Sequence, residues 1–359
     1  MTEAEAAAQG PVVGATGVLF RLPDPRRALR QVLLRQEVQR PRAGPAFARG
    51  HGGAWTLRFP RPPVDRMEYQ LQLRYPGART VVVPDPGNRL LADGPFGPKS
   101  VVEFPGYRPP AWLAADGAPE PTTALALPSR ALRARVPVQL WSSPGGRPGQ
   151  PLPLLVVHDG PEYARYAGLL AFLGQATRAG RLPPLRAALL APVDRDEHYS
   201  ASAAWSRALT AELLPALAEL APAPPGRRFR VGMGASLGAL ATLAAAAADP
   251  GAFGGLFLQS GSFFQRRLDR QEAGHPRFAR ICRFVAGVLG SGGPREPAAA
   301  VLTCGTVEEN LANNQAVRAA LAAKGWDARL RQQPDAHNWT AWRDALDPWL
   351  LQLLQRMWG

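Results

Sequence analysis

The chain has 359 residues, 46% hydrophobic and 19% charged, with a formal net charge of +14. At roughly 100–200 residues per domain this length suggests two domains, and the composition supports a sizeable core and excludes a disordered chain. No apolar run reaches the about 18 residues that a spanning helix needs, so no membrane partner is expected.

The first ten residues carry Glu3 and Glu5 and lack the basic-then-apolar pattern of a secretory signal, so a cytoplasmic location is the expectation. With only Cys282 and Cys304 and no CxxC, neither a disulfide framework nor a metal site is expected. The positive charge invites a nucleic-acid reading, but lysine occurs only at Lys99 and Lys324, and the arginines are scattered. Their densest cluster, Arg26, Arg27, Arg30 and Arg35, has no interleaved aromatics of the kind single-strand binders use, so nucleic acid is not expected as a partner. What survives is a positive field that favours an anionic small substrate.

In chain order, residues 12–22 form an apolar stretch, 31–35 have strand character, and 54–59 alternate at their aromatic end. Residues 68–75 alternate cleanly, with Tyr69, Leu71, Leu73 and Tyr75 on one face. Short strands separated by Pro and Gly predict an all-β sandwich of the immunoglobulin-like kind over residues 1–118. Its last part, residues 105–118, is a Pro- and Gly-rich linker carrying Tyr107 and Trp112 just after Phe104, rings expected to dock between domains. From there the pattern changes. Runs at 154–158, 187–193, 229–233, 256–259 and 299–304 alternate with helical patterns at 163–178, 201–220, 237–248, 310–324 and 339–357. Alternating strands and helices predict a mostly parallel sheet covered on both faces over residues 119–359.

Gly234-Ala235-Ser236-Leu237-Gly238 matches GxSxG. A serine on a tight strand-to-helix turn needs small residues at −2 and +2, and the turn presents its hydroxyl at a helix start. Serine is a poor nucleophile at neutral pH, so Ser236 requires a base, and the base an orienting acid. Only His275 and His337 of the five histidines lie beyond Ser236. His337 follows the expected last strand (328–332) and precedes the final helix, which makes it the candidate base. The acid is expected after the strand at 301–305, at Glu308 or Glu309; Asp335 is close to His337 in sequence and a poor candidate. The oxyanion donors are expected to be the Leu237 N–H and an N–H of the 158–160 turn, where Gly160 permits close approach. Arg195, after the strand ending at Val193, is the candidate for binding an anionic group.

These motifs together make the sequence resemble the enterochelin (ferric enterobactin) esterase family of esterase-D-like α/β-hydrolases. The resemblance rests on residues 154–160 (LLVVHDG), 212–215 (ELLP), 234–238 (GASLG), 259–262 (QSGS), 305–308 (GTVE), His337, and Trp342-Arg343, and in the front half on 85–88 (DPGN) and 100–105 (SVVEFP). It implies an α/β-hydrolase domain preceded by a β-sandwich that caps the active site. It also implies a Ser236–His337–Glu308 triad, no cofactor, and hydrolysis of an aromatic, anionic catechol trilactone siderophore with release of its iron. The chain departs from the family at Ala239, and at Asp335-Ala336 where two glycines often stand. The competing readings are a general carboxylesterase of the same group, and a carbohydrate- or ligand-binding protein with an inactive hydrolase domain.

Overall fold

In the front half the alternation of apolar and polar residues becomes antiparallel sheet. The stretch 12–22 forms two strands, Val12–Gly14 and Gly17–Leu22, because a tight turn pairs Gly14 with Gly17. The computed structural model describes residues 10–39, 42–114, 120–147, 149–293, 296 and 298–359, without the side chains of Ala43 and His51. Among these, one sheet runs in the order Val12–Gly14, Gly17–Leu22, Trp55–Pro60, Ala48–Arg49. A second runs Ala43–Ala46, Gln31–Gln36, Arg66–Arg74, Lys99–Glu103, Leu91–Ala92, with Thr80–Val83 also paired to Arg66–Arg74.

The inward residues of both sheets share one core, including Phe20, Phe59, Met67, Tyr69, Leu71 and Val102. The Phe20 and Tyr69 rings meet edge-on with centroids 4.8 Å apart, an arrangement that adds about 0.5–1.5 kcal/mol beyond area burial. The buried Tyr69 hydroxyl donates to Asp85 Oδ2 at 2.7 Å, so the polar tip is satisfied. Asn88 Nδ2 donates to the Val101 carbonyl at 2.7 Å. The 85–88 motif therefore ties a loop to the second sheet.

The chain divides into two compact units. The first holds residues 1–109 together with 305–308 and 333–341, and the second holds 110–304, 309–332 and 342–359. Val307 and Ala336, from the two late segments, pack in the first unit's core. The boundary expected at residue 118 lies in 115–119, outside the described residues. Phe104 is buried in the first unit's core, under the Arg61 guanidinium. Trp112 packs on Phe172 in the second unit, with ring centroids 5.4 Å apart.

The second unit is built on an eight-stranded sheet. We number its strands β1 (Thr123–Ser129), β2 (Ala134–Ser142), β3 (Leu154–His158), β4 (Arg186–Leu190), β5 (Arg230–Ala235), β6 (Gly255–Gln259), β7 (Ala299–Gly305) and β8 (Asp327–Gln333). The order is β1-β2-β4-β3-β5-β6-β7-β8. β1 and β2 form an antiparallel hairpin, β2 joins β4 antiparallel, and the pairs from β4 through β7 are parallel. Every residue of β3, β4 and β6 is buried, the condition of a parallel sheet covered on both faces.

The hairpin β1–β2 and the helix Phe278–Leu289 are additions to the predicted elements. Two predicted helices are interrupted. The pattern at 163–178 becomes Gly160–Tyr166 and Leu169–Arg178, separated at Gly168 with φ 60°. The last helix breaks where Asp347 turns extended before Pro348, whose ring disfavours helix at the preceding residue. It resumes as Leu351–Trp358.

Candidate active site

β5 ends at Ala235 and the helix Leu237–Ala248 begins two residues later, so the chain must reverse within Ser236. It does so with Ser236 at φ 55°, ψ −121°, a conformation costly for a residue with a side chain and one that marks functional turns. The flanking glycines are steric requirements. A Cβ on Gly234 would lie 2.4 Å from the Gly238 carbonyl carbon, and one on Gly238 would lie 3.2 Å from His158 Cβ. The turn is fastened to the loop after β6. The Ser236 N–H donates to the Gln259 carbonyl at 2.9 Å, and the Ser262 N–H donates to the Ser236 carbonyl at 3.1 Å. The two serine hydroxyls are 3.0 Å apart. That loop is itself strained at Ser260 (φ 47°) and is held by the Asn310 and Asn314 side chains, which bond the Ser260 and Gly261 backbone.

His158 lies under the elbow and is occupied there. Its Nε2 accepts the Trp205 indole N–H at 3.1 Å, and its Nδ1 lies 2.9 Å from Thr242 Oγ1, which donates to the Gly238 carbonyl. These bonds fix the ring as the neutral Nδ1–H tautomer. Full burial lowers its pKa to about 4. His158 thus braces the helix start and is not available as a base.

The predicted acid and base form a pair within the first unit. His337 Nδ1 is 2.7 Å from Glu308 Oε2. The Glu308 carboxylate is 1% exposed and the His337 side chain 36%. Glu308 Oε1 accepts the Gly305 N–H at 2.6 Å, so the strand end fixes the carboxylate and the carboxylate orients the imidazole. Glu309 is exposed. Asp335 is directed away from the imidazole: its Oδ1 accepts the Ala336 N–H and the Asn338 amide. Burial raises its pKa to about 6, with Arg66 acting in the opposite sense.

Leu237 is the first residue of its helix, so its N–H belongs to the end with no intrahelical acceptor. Gly160 starts the helix after β3, and a Cβ there would lie 2.3 Å from Leu189 Cα. Packing alone therefore demands glycine at that position. Arg195 is bound by Asp159, with Nε at 3.0 Å from Oδ1 and Nη2 at 2.7 Å from Oδ2. Burial disfavours its charge, and the bonds to Asp159 raise its pKa nonetheless. Among the described residues no cluster of His, Cys, Asp and Glu could hold a metal ion, and no helix is long and apolar enough to cross a membrane.

Sequence reasoning missed Ser262, Asn310 and Asn314 behind the elbow, the His158–Trp205–Thr242 brace, and Arg66. The motif at 259–262 was a signal for the first group. Arg66 has none, because its contact with Asn338 spans 272 positions.

The model of a family of putative esterases matches residues 129–353, and the chain belongs to that family. The sheet order and the serine elbow after β5 place it in the class of esterases built on the α/β-hydrolase fold. Within that class it is similar to iron(III) enterobactin esterase of Dickeya dadantii strain 3937, at 31% identity over 220 residues. The match covers 58% of this chain and 49% of that protein, about half the relative's length. The fold is similar to that of the enterobactin esterase from Shigella flexneri in the presence of enterobactin, with a TM-score of 0.78 and 21% identity over 100% of this chain and 98% of that one. Ferric enterobactin esterase from Salmonella typhimurium gives a TM-score of 0.74 at 21% identity, over 98% and 96% of the two chains.

Proposed function

We propose that the protein is a serine esterase that cleaves the ester bonds of a catecholate siderophore of the enterobactin type, with Ser236, His337 and Glu308 as its triad. The observation that carries the chemistry is the Ser236 elbow, a strained backbone kept at the head of a buried helix. The relative at 31% identity supports the substrate class.

In this reading Ser236 Oγ attacks the ester carbonyl carbon while its proton passes to His337 Nε2. Glu308, bonded to Nδ1, stabilises the imidazolium that results. The Leu237 N–H, with the Gly160 N–H as second donor, receives the charge that develops on the carbonyl oxygen. Collapse of the tetrahedral intermediate breaks the bond to the alcohol oxygen, which takes the proton from His337. An acyl-enzyme remains, and water, deprotonated by His337, hydrolyses it to acid and free Ser236. Arg195, with Nε and Nη2 held by Asp159, presents its outer edge to an anionic substrate. We read the two antiparallel sheets of the first unit as an immunoglobulin-like sandwich, because their inward faces share one core.

The test is covalent labelling by a fluorophosphonate probe, followed by hydrolysis of a cyclic catechol trilactone, its linear esters and p-nitrophenyl acetate. The expected result is labelling at Ser236 and a kcat/KM highest for the catechol esters. Equal kcat/KM across the panel would make the protein a general carboxylesterase, and absence of both labelling and hydrolysis would leave only a binding role.

A further inference from the structure

We propose that Arg66, in the first unit's strand Arg66–Arg74, is a positioning residue that holds the His337 loop so that the imidazole meets Glu308. The inference rests on reading His337 as the base. Arg66 is 2% exposed, yet it is a full guanidinium. One arm, Nη1, donates to Asn338 Oδ1 at 3.1 Å and lies 3.6 Å from Asp335 Oδ2. The other, Nη2, donates to Glu68 Oε1 at 3.0 Å, on its own strand. The fork therefore takes hold of the residues two before and one after His337 and refers them to a sheet.

Four further contacts make the hold specific. Asn338 is not a passive acceptor: its amide donates to Asp335 Oδ1 at 2.8 Å, and its Oδ1 also accepts the Ala341 N–H at 2.9 Å. The residue beside Arg66 adds a backbone bond, Asp65 N–H to the Pro334 carbonyl at 2.8 Å. On the Glu308 side, a Cβ on Gly305 would lie 2.2 Å from the Asp335 carbonyl oxygen. The turn bearing Glu308 is thus seated directly on the loop that Arg66 grips, and a shift of that loop changes the separation of Glu308 and His337.

Charge balance is arranged behind the fork. Lys99 Nζ lies 3.6 Å from Glu68 Oε2 and 2.9 Å from Glu37 Oε1, so positive and negative groups alternate from Glu37 to Asp335. Burial opposes the Arg66 charge, and Glu68 and Asp335 sustain it. A well-packed apolar side chain often serves stability as well as a buried ion pair does. A planar donor fork gives something an apolar side chain cannot, which is a fixed direction to two acceptors at once.

The test compares wild type with Arg66→Lys, Arg66→Met, the double variant Arg66→Met/Asp335→Asn, and His337→Ala. It measures p-nitrophenyl acetate kinetics and the low-field proton resonance of the His337 Nδ1–H···Glu308 bond. The double variant leaves no buried carboxylate unopposed and guards against simple loss of folding. Arg66→Lys keeps the charge without the fork. In each folded Arg66 variant kcat is expected to fall, by roughly 100-fold in the double variant and less in Arg66→Lys, with KM changed by less than about twofold. The low-field resonance should broaden or vanish in parallel. A folded double variant with wild-type kcat, or a lower kcat with an unchanged resonance, overturns the positioning role. Wild-type turnover in His337→Ala would overturn the functional reading itself, and the two failures are distinguished by that control.

Discussion

The hydroxyl oxygens of Ser236 and Ser262 lie 3.0 Å apart, and the backbones of the same two residues are joined by the Ser262 N–H. The backbone bond holds the elbow, and the hydroxyl contact only parks the Ser236 side chain. Ser236→Ala should therefore lower ester turnover by roughly 1,000-fold or more with little change in thermal stability. Ser262→Ala keeps the backbone bond and should stay within about tenfold of wild type. Steady-state kinetics and a melting curve for both variants check this, and a Ser236→Ala protein with most of its activity would remove the mechanism.

Glu308 has two jobs that substitution can separate. Glu308→Gln keeps an acceptor for the buried Gly305 N–H but turns an amide donor, in place of a charged acceptor, toward His337, whereas Glu308→Ala removes both acceptors. Turnover should drop strongly in both variants and hardly at all in Glu309→Ala, whose side chain is exposed. Stability should drop by about 1–3 kcal/mol in Glu308→Ala alone, the cost of stranding a buried donor. Comparable effects at 308 and 309 in kinetics would move the acid elsewhere.

Asp335 predicts a pH signature in stability. Its pKa is raised to about 6 by burial, against the opposing effects of Arg66, the Ala336 N–H and the Asn338 amide and with Glu68 reinforcing the shift. The folded protein thus binds this proton more tightly than the unfolded chain, where the value is 3.8. The associated stabilisation is complete below about pH 4 and is lost as pH rises through about 6, amounting to about 3 kcal/mol at most. The difference in unfolding free energy between wild type and Asp335→Asn should decline across that window. A difference that stays constant from pH 4 to 7 would show that Asp335 titrates normally.

Deletion of the front residues should be more damaging than a detachable cap implies. The structure shows Ala336 and Val307 packed in the front unit's core and the Pro334 carbonyl bonded to Asp65. A fragment spanning residues 110–359 loses those partners together with Arg66. It should lose p-nitrophenyl acetate turnover by the same order as Glu308→Ala, and a folded fragment with wild-type kcat would refute this.

Most of the sheet was legible because its physics is local. Fully buried strands such as Leu154–His158 read as short apolar runs, and Tyr69, Leu71 and Leu73 declare a half-buried strand by alternation. Gly234 and Gly238 were legible because a sharp turn admits few residue types. The hairpin β1–β2 was not, since its pattern is diluted by exposed Thr123 and Arg135 and by Pro128 and Pro137. The role of Asp159 as a partner for Arg195 joins positions 36 apart and leaves no periodic trace. His158 stood in a quoted motif, but only its burial beside Trp205 and Thr242 shows that it is a brace.

The bond between Arg66 and Asn338 also sets an order of events during synthesis. A ribosome releases the front strands long before residues 333–341 exist, and contacts between such distant positions close last. The nascent front unit must wait with Arg66, Glu68 and the seat of Ala336 uncovered until the C-terminal segment arrives. A chain cut short anywhere before residue 333 therefore lacks both His337 and the Ala336 side chain that completes the first unit's core.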